Sequence, residues 1–366
     1  MDSRERLLRV IRRQPVDRVP ISTYELVGWN PDSWENQQPA YRGLMDLIRE
    51  KTDCMYMLGF DSPNAAARIT VTEWDEGPHH YRREVLHTPR GDLTSVSRQD
   101  PGLNTVWRLE RLLKTDEDIA RYLSQPIDPA PPDLSAFAVA QARLGDKGIP
   151  LISLGDPICV VAELFEFGEF MVRAMTQPGQ IAALLEHVAP AIYAHLDYLL
   201  AQGVGPLFRI CGPEYVTPPY LPPSLFEQFV VRYTAPMVER IHRHGAYARI
   251  HCHGRIRHVL PMIVEMGADA LDPVEAPPSG DITLAEVKRL YGGRLCLMGN
   301  LQLRDLETAT DGEMRRIVQE TMEAGKPGGG FVIMPTAAPI NADLSPVTER
   351  NYRIFIETAL ECGSYS

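Results

Sequence analysis

The segment His251-Cys252-His253-Gly254 has the residue types and spacing best suited to chemistry at a metal. On an extended strand, residues two apart point to the same side, so both imidazoles can face one centre. Two such nitrogens and a carboxylate from a neighbouring strand make a zinc-type site with one position open for substrate. Glu214 and Glu275 are the candidates for the third ligand, because each follows the strand next to that of the histidines. Cys252 faces the opposite way and is expected to pack against helices. No G-x-S-x-G or Ser-His-Asp pattern supports acyl-enzyme hydrolysis. Lys288 falls on a helix and Lys326 in a Gly-Pro-rich loop, which leaves no evident Schiff-base lysine.

The elements that must position these residues alternate between short β-rich runs and longer amphipathic stretches. Eight runs qualify as strands: Val19–Thr23, Asp53–Leu58, Ile149–Leu154, Leu207–Cys211, Tyr247–His251, Asp269–Leu271, Arg294–Met298 and Gly330–Met334. Helical sequence follows each, so the expected architecture is α/β, a (β/α)8 TIM barrel. Residues 69–109 change texture to alternating segments with Gly-Pro and Pro-Arg-Gly-Asp turns, and predict an antiparallel β-hairpin insertion after the second strand. An open doubly wound sheet would carry a Gly-rich phosphate loop after its first strand, and none follows Val19–Thr23. In a barrel, active groups project from the C-terminal strand ends. That rule adds Tyr24, Trp29, Asp156 and Asn300 as substrate-binding candidates and Tyr215 beside Glu214 as a catalytic one.

The bulk numbers agree with one barrel domain spanning 1–366. Hydrophobic residues make up 44% of the 366, yet no apolar run approaches the roughly 18 residues needed to cross a bilayer. The charged start, Asp2-Ser3-Arg4-Glu5-Arg6, has no signal-peptide character, and the expected location is cytoplasmic. A net charge of −11 without a basic stripe argues against nucleic acid as partner. The six cysteines are scattered, without a CxxC pair, and are expected to be reduced.

Several segments together resemble the uroporphyrinogen decarboxylase superfamily, on the side that contains corrinoid-dependent methyltransferases. They are Pro15-Val16-Asp17-Arg18-Val19-Pro20, Thr88-Pro89-Arg90-Gly91-Asp92-Leu93, Gly212-Pro213-Glu214-Tyr215, the His251–Gly254 segment, Gly267–Glu275, Gly299-Asn300-Leu301 and Gly328-Gly329-Gly330-Phe331-Val332. The family fold implied is the (β/α)8 barrel. Porphyrinogen decarboxylases of this superfamily grip substrate carboxylates with arginines after the first strand. Here that stretch is Tyr24-Glu25-Leu26-Val27-Gly28-Trp29-Asn30, without arginine. The methyltransferases hold zinc with an H-x-C pair and a distant cysteine. Here His251 matches the first ligand, His253 stands at the cysteine position, and the loop Pro335-Thr336-Ala337-Ala338-Pro339 has no cysteine.

Two histidines and a carboxylate are harder ligands than thiolates and suit polarisation of an ether or alcohol oxygen. The resulting expectation is a zinc-dependent methyltransferase. It takes methyl from an oxygen-linked, methoxy or methoxyaromatic, donor and passes it to cobalamin on a separate corrinoid protein, since no corrinoid-binding motif occurs in the chain. His251, His253 and Glu214 hold the metal, Glu275 is a ligand or general acid, Tyr215 and Asn300 orient substrate, and Tyr24 and Trp29 give an aromatic wall. A homodimer is implied by the resemblance. Two rivals are a decarboxylase or lyase acting on a small acid, and a non-catalytic barrel that serves as a binding subunit.

Overall fold

Strands buried on both faces read as nearly continuous apolar runs, and such runs build the central sheet. The computed structural model describes residues 1–365. In chain order the strands are β1 (Cys54–Gly59), β2 (Arg68–Glu76), β3 (His79–Thr88), β4 (Gly91–Gln99), β5 (Val106–Glu110), β6 (Gly148–Gly155), β7 (Leu207–Cys211), β8 (Tyr247–His251), β9 (Ala270–Asp272), β10 (Cys296–Leu301) and β11 (Phe331–Pro335). Seven of them form one parallel sheet in the order β1-β6-β7-β8-β9-β10-β11. Helices lie between successive members, as the sequence rhythm demands.

The expected first strand, Val19–Thr23, does not form a ladder. It makes one parallel bridge, Ile21 to Ile333 of β11, while the Asp53 amide beside β1 donates to the Ile21 carbonyl at 2.7 Å. The segment thus spans the two edges of the seven-stranded sheet, and the arrangement fits a (β/α)8 barrel in which it takes the eighth place. The ladder is short for a chemical reason. Pro20 has no amide hydrogen, the Ile21 amide donates to the Asp53 carboxylate at 2.9 Å, and the Val19 amide donates to the Gly363 carbonyl.

Asp53 is fully buried and also takes donors from Arg6 and Arg18, both at 2.7 Å. Arg6 lies on the N-terminal helix Ser3–Ile11, whose Asp2 cap accepts from the Glu5 amide. One carboxylate therefore ties the first helix and the closing segment to the base of β1. Removing one partner of a buried, hydrogen-bonded pair costs about 3–5 kcal/mol.

The region after β1 is larger than the hairpin expected. β2 to β5 form a four-stranded antiparallel sheet in sequence order. Trp74 and Tyr81 sit opposite one another in register and stack at 5.3 Å, the kind of cross-strand pair that stabilises an exposed sheet. Among the described residues no helix is long and apolar enough to cross a membrane.

Candidate active site

β8 and β9 place three charged or ionisable groups in one buried layer. Arg249 and His251 alternate along β8 and so share a face, and His251 lies opposite Asp272 in register. Asp272 is wholly buried. Arg249 donates to both of its oxygens through Nε and Nη2, and the His251 Nδ1 is 2.9 Å from Oδ2. Burial pushes the Asp272 pKa up, but the charge of Arg249 and the hydrogen bonds from Arg249 and His251 outweigh it and hold the group far below the usual carboxylate range. Burial pushes the His251 imidazole down, against the pull of Asp272. The shift favours the neutral inner imidazole, and in that form an Nδ1 proton facing the carboxylate leaves Nε2 as acceptor.

The chain then turns outward. The Cys252 amide donates to the Asp272 carbonyl at 2.8 Å, and its buried thiol lies 3.1 Å from the Thr217 hydroxyl, away from the histidines as the alternation requires. His253 presents a ring whose centroid is 4.7 Å from that of His251, edge to face. Its Nδ1 is 3.2 Å from a Glu275 oxygen, and the other Glu275 oxygen accepts the Gly254 amide at 2.8 Å. Burial acts to lower the His253 pKa, but the hydrogen bond and charge of Glu275 outweigh it and the shift is upward. Glu275 moves down, because the same bonds outweigh its own burial.

His253 and Glu275 line a cavity of about 530 Å³ together with Glu214, Tyr215, Phe167 and Tyr220. Phe167 packs edge-on against Tyr215 and Tyr220, at 6.0 and 5.0 Å. The Tyr215 hydroxyl donates to Glu163. Glu214 accepts the Gly212 amide at 2.9 Å.

The sequence-derived candidates divide. His253, Glu275, Glu214 and Tyr215 meet at the cavity, and His251 lies directly beneath. Tyr24 is inside the barrel, its ring 6.2 Å from His251 and its hydroxyl 2.8 Å from Arg209. Asn300 is partly exposed near the mouth, with its Oδ1 buried and unpartnered. Asp156 does not reach the cavity. It is fully buried, caps the helix Pro157–Glu163 through the Cys159 amide and accepts from Thr234, and burial pushes its pKa up to about 7. Trp29 packs on a separate cluster with Val27, Cys54 and Tyr56, so the aromatic wall is Phe167, Tyr215 and Tyr220. Sequence reasoning missed Arg209 and Arg249. An arginine centred in Leu207-Phe208-Arg209-Ile210-Cys211 or Ala248-Arg249-Ile250 was the available signal, since a charge inside a barrel strand needs a partner.

The metal expected from the sequence does not fit the residues as they stand. Two imidazole Nε2 atoms remain once each Nδ1 is engaged, but among the described residues no three His, Cys, Asp or Glu side chains are arranged to hold an ion. Glu214, the expected third ligand, accepts the Gly212 amide through one of its oxygens.

The sequence profile of the family Uroporphyrinogen decarboxylase (URO-D) matches residues 106–357, well over half of the chain. The chain belongs to the URO-D family. Its similarity to individual members is distant. It is 23% identical to the uroporphyrinogen decarboxylase of Anaeromyxobacter sp. (strain Fw109-5) over 88% of the chain and 90% of that protein. It is 24% identical to that of Xanthomonas campestris pv. campestris (strain B100) over 89% of both. Among solved structures, a methyltransferase from Methanosarcina mazei superposes over 99% of both chains with a TM-score of 0.62 at 16% identity. That likeness shows a shared fold over the entire chain, including residues that precede the family match.

Proposed function

We propose that this URO-D family member is a methyltransferase that takes methyl from a methoxyaromatic donor and delivers it to a corrinoid carried by a partner protein. The observation that supports it is the outer pair: His253, oriented by Glu275, faces a cavity of about 530 Å³ walled by Phe167, Tyr215 and Tyr220. When the methyl–oxygen bond of an ether breaks, the electron pair stays on oxygen, which needs a proton. An imidazolium within hydrogen-bond reach supplies it as a general acid. Glu275 favours the charged ring and fixes its rotation. The aromatic wall stacks the donor ring, and Glu214 on the facing loop orients its polar substituents. The corrinoid, when bound, supplies the nucleophile that accepts methyl. The methyltransferase fold neighbour supports the architecture for this.

The names of the sequence relatives favour a second reading, decarboxylation of a small acid. There His253 would protonate the carbon that carbon dioxide vacates, with no corrinoid. One experiment separates the two. The protein is incubated with 4-methoxyphenol or 4-methoxybenzoate, with and without reduced cobalamin. Methylcobalamin and the demethylated phenol appearing together support methyl transfer. Carbon dioxide release without cobalamin supports the second reading, and neither product sinks both. Metal content of protein purified without chelators tests the zinc expectation. About one ion per chain would require Glu214 to move its second oxygen into reach of His251 and His253.

A further inference from the structure

Two arginines lie side by side in the barrel, and only one has a carboxylate in direct contact; Arg209 feels Asp272 and Glu25 through space alone. The register puts Arg209 of β7 opposite both Ser153 of β6 and Arg249 of β8. Arg249 is fully buried and chelated by Asp272. Arg209 is only 8% exposed, yet each of its partners is neutral. It donates to the Ser153 hydroxyl at 3.1 Å, the Cys211 sulfur at 3.3 Å and the Tyr24 hydroxyl at 2.8 Å. Its Nε is buried with no partner at all. Among the described residues no carboxylate lies within 4 Å of it, and Asp272 is already committed to Arg249 and His251.

Buried charges in proteins are paired or coordinate an ion, and an unpaired one is costly to keep. Here the edge of the cluster, though not Arg209 or Tyr24 itself, reaches solvent. On β6 and β7, whose inward residues are otherwise buried, Ser153 and Cys211 are partly exposed at the mouth. Ser153 and Tyr24 accept from the guanidinium through oxygen, so each keeps its own hydroxyl hydrogen to donate. A guanidinium and two hydroxyl donors at an opening form a cradle for a planar anion, the geometry that suits a carboxylate.

We infer that Arg209, with Ser153 and Tyr24, binds the carboxylate of the substrate, which makes the donor a methoxylated aromatic acid. This deepens the preceding reading and rests on it only for which end reacts. Tyr24, which accepts from Arg209, has its ring 6.2 Å from His251, so in this reading the acid end lies on the His251 side of the barrel and the ether end toward His253.

The test uses benzoate, its neutral analogue benzamide, and inorganic phosphate, titrated calorimetrically into the full chain without corrinoid. Benzoate is expected to bind at least about tenfold more tightly than benzamide, with phosphate silent. In Arg209→Gln the preference for benzoate disappears, while the melting temperature of the unliganded protein holds or rises because an uncompensated charge has gone. Equal binding of benzoate and benzamide, or phosphate matching benzoate, overturns the proposal, and the comparison on the unmodified protein decides even if the variant does not fold. A melting temperature that falls sharply in the variant with benzoate binding intact also overturns it, and makes Arg209 a strut. Benzoate binding does not depend on methyl transfer, so the two readings fail separately.

Discussion

The two imidazole–carboxylate pairs use the same chemistry in different dielectric surroundings. His251 and Asp272 are sealed in the barrel with Arg249. His253 and Glu275 sit one step outward, with the His253 side chain 36% exposed. Burial wins at the inner ring and favours its neutral form, whereas the carboxylate wins at the outer ring and favours its charge. Two residues along one chain therefore separate a structural imidazole from one able to move a proton, which is how environment sorts identical side chains into roles.

Breaking the inner pair has the largest expected effect. Asp272→Asn leaves Arg249 buried without a counter-charge and should cost about 3–5 kcal/mol of unfolding free energy in urea denaturation. Because the Asp272 pKa is held below its unfolded value, the stability it contributes is present above the ordinary carboxylate pKa and is lost as pH falls toward the folded value. The variant should therefore lose part of the acid dependence of stability as well. A loss under about 1 kcal/mol would show that the inner pair is no strut.

Breaking the outer pair should damage turnover instead. His253→Gln is expected to lower kcat about 10²–10⁴-fold while stability changes by no more than about 1 kcal/mol. Wild-type turnover in that variant would remove the proton donor from the proposal. A gentler change sharpens the contrast. Glu275→Gln takes away the group that raises His253, so the imidazolium is lost at lower pH and the alkaline limb of the kcat/KM profile moves toward acid. An unmoved limb would assign the acid to another residue. Smallest of all, Trp29→Phe should leave KM for the methoxyaromatic donor unchanged, since Trp29 belongs to the other cluster. A clear rise in KM would return Trp29 to the substrate wall.

The barrel rhythm was legible in the sequence because buried parallel strands are apolar runs with sharp ends. β6, β7, β8 and β11 fall within a residue or so of their expected bounds. The closing segment was legible as apolar but not as irregular, since its amides are taken by Asp53 and Gly363, partners far away in the chain. For the site, the two-residue period located His251 and His253 on one side. It could not reveal that each ring has its own carboxylate, because Asp272 and Glu275 arrive from the β9 end through the fold. Asp156 looked like any polar residue at a strand end, and its role as a buried cap depends on Thr234, 78 residues later.

The closing segment also governs the order in which the molecule can be completed. Ile21 waits for Ile333, Val19 for Gly363 and Asp17 for the amide of Tyr365. A ribosome adds about 5–20 residues per second, so the segment emerges many seconds before its partners exist. Until they do, β1 and the newest strand are open edges, the state most prone to pairing with another chain. A nascent chain halted before Phe331 would have both edges and no seam, and this family member becomes a closed barrel only once the partners of its closing segment, as late as Tyr365, have been made.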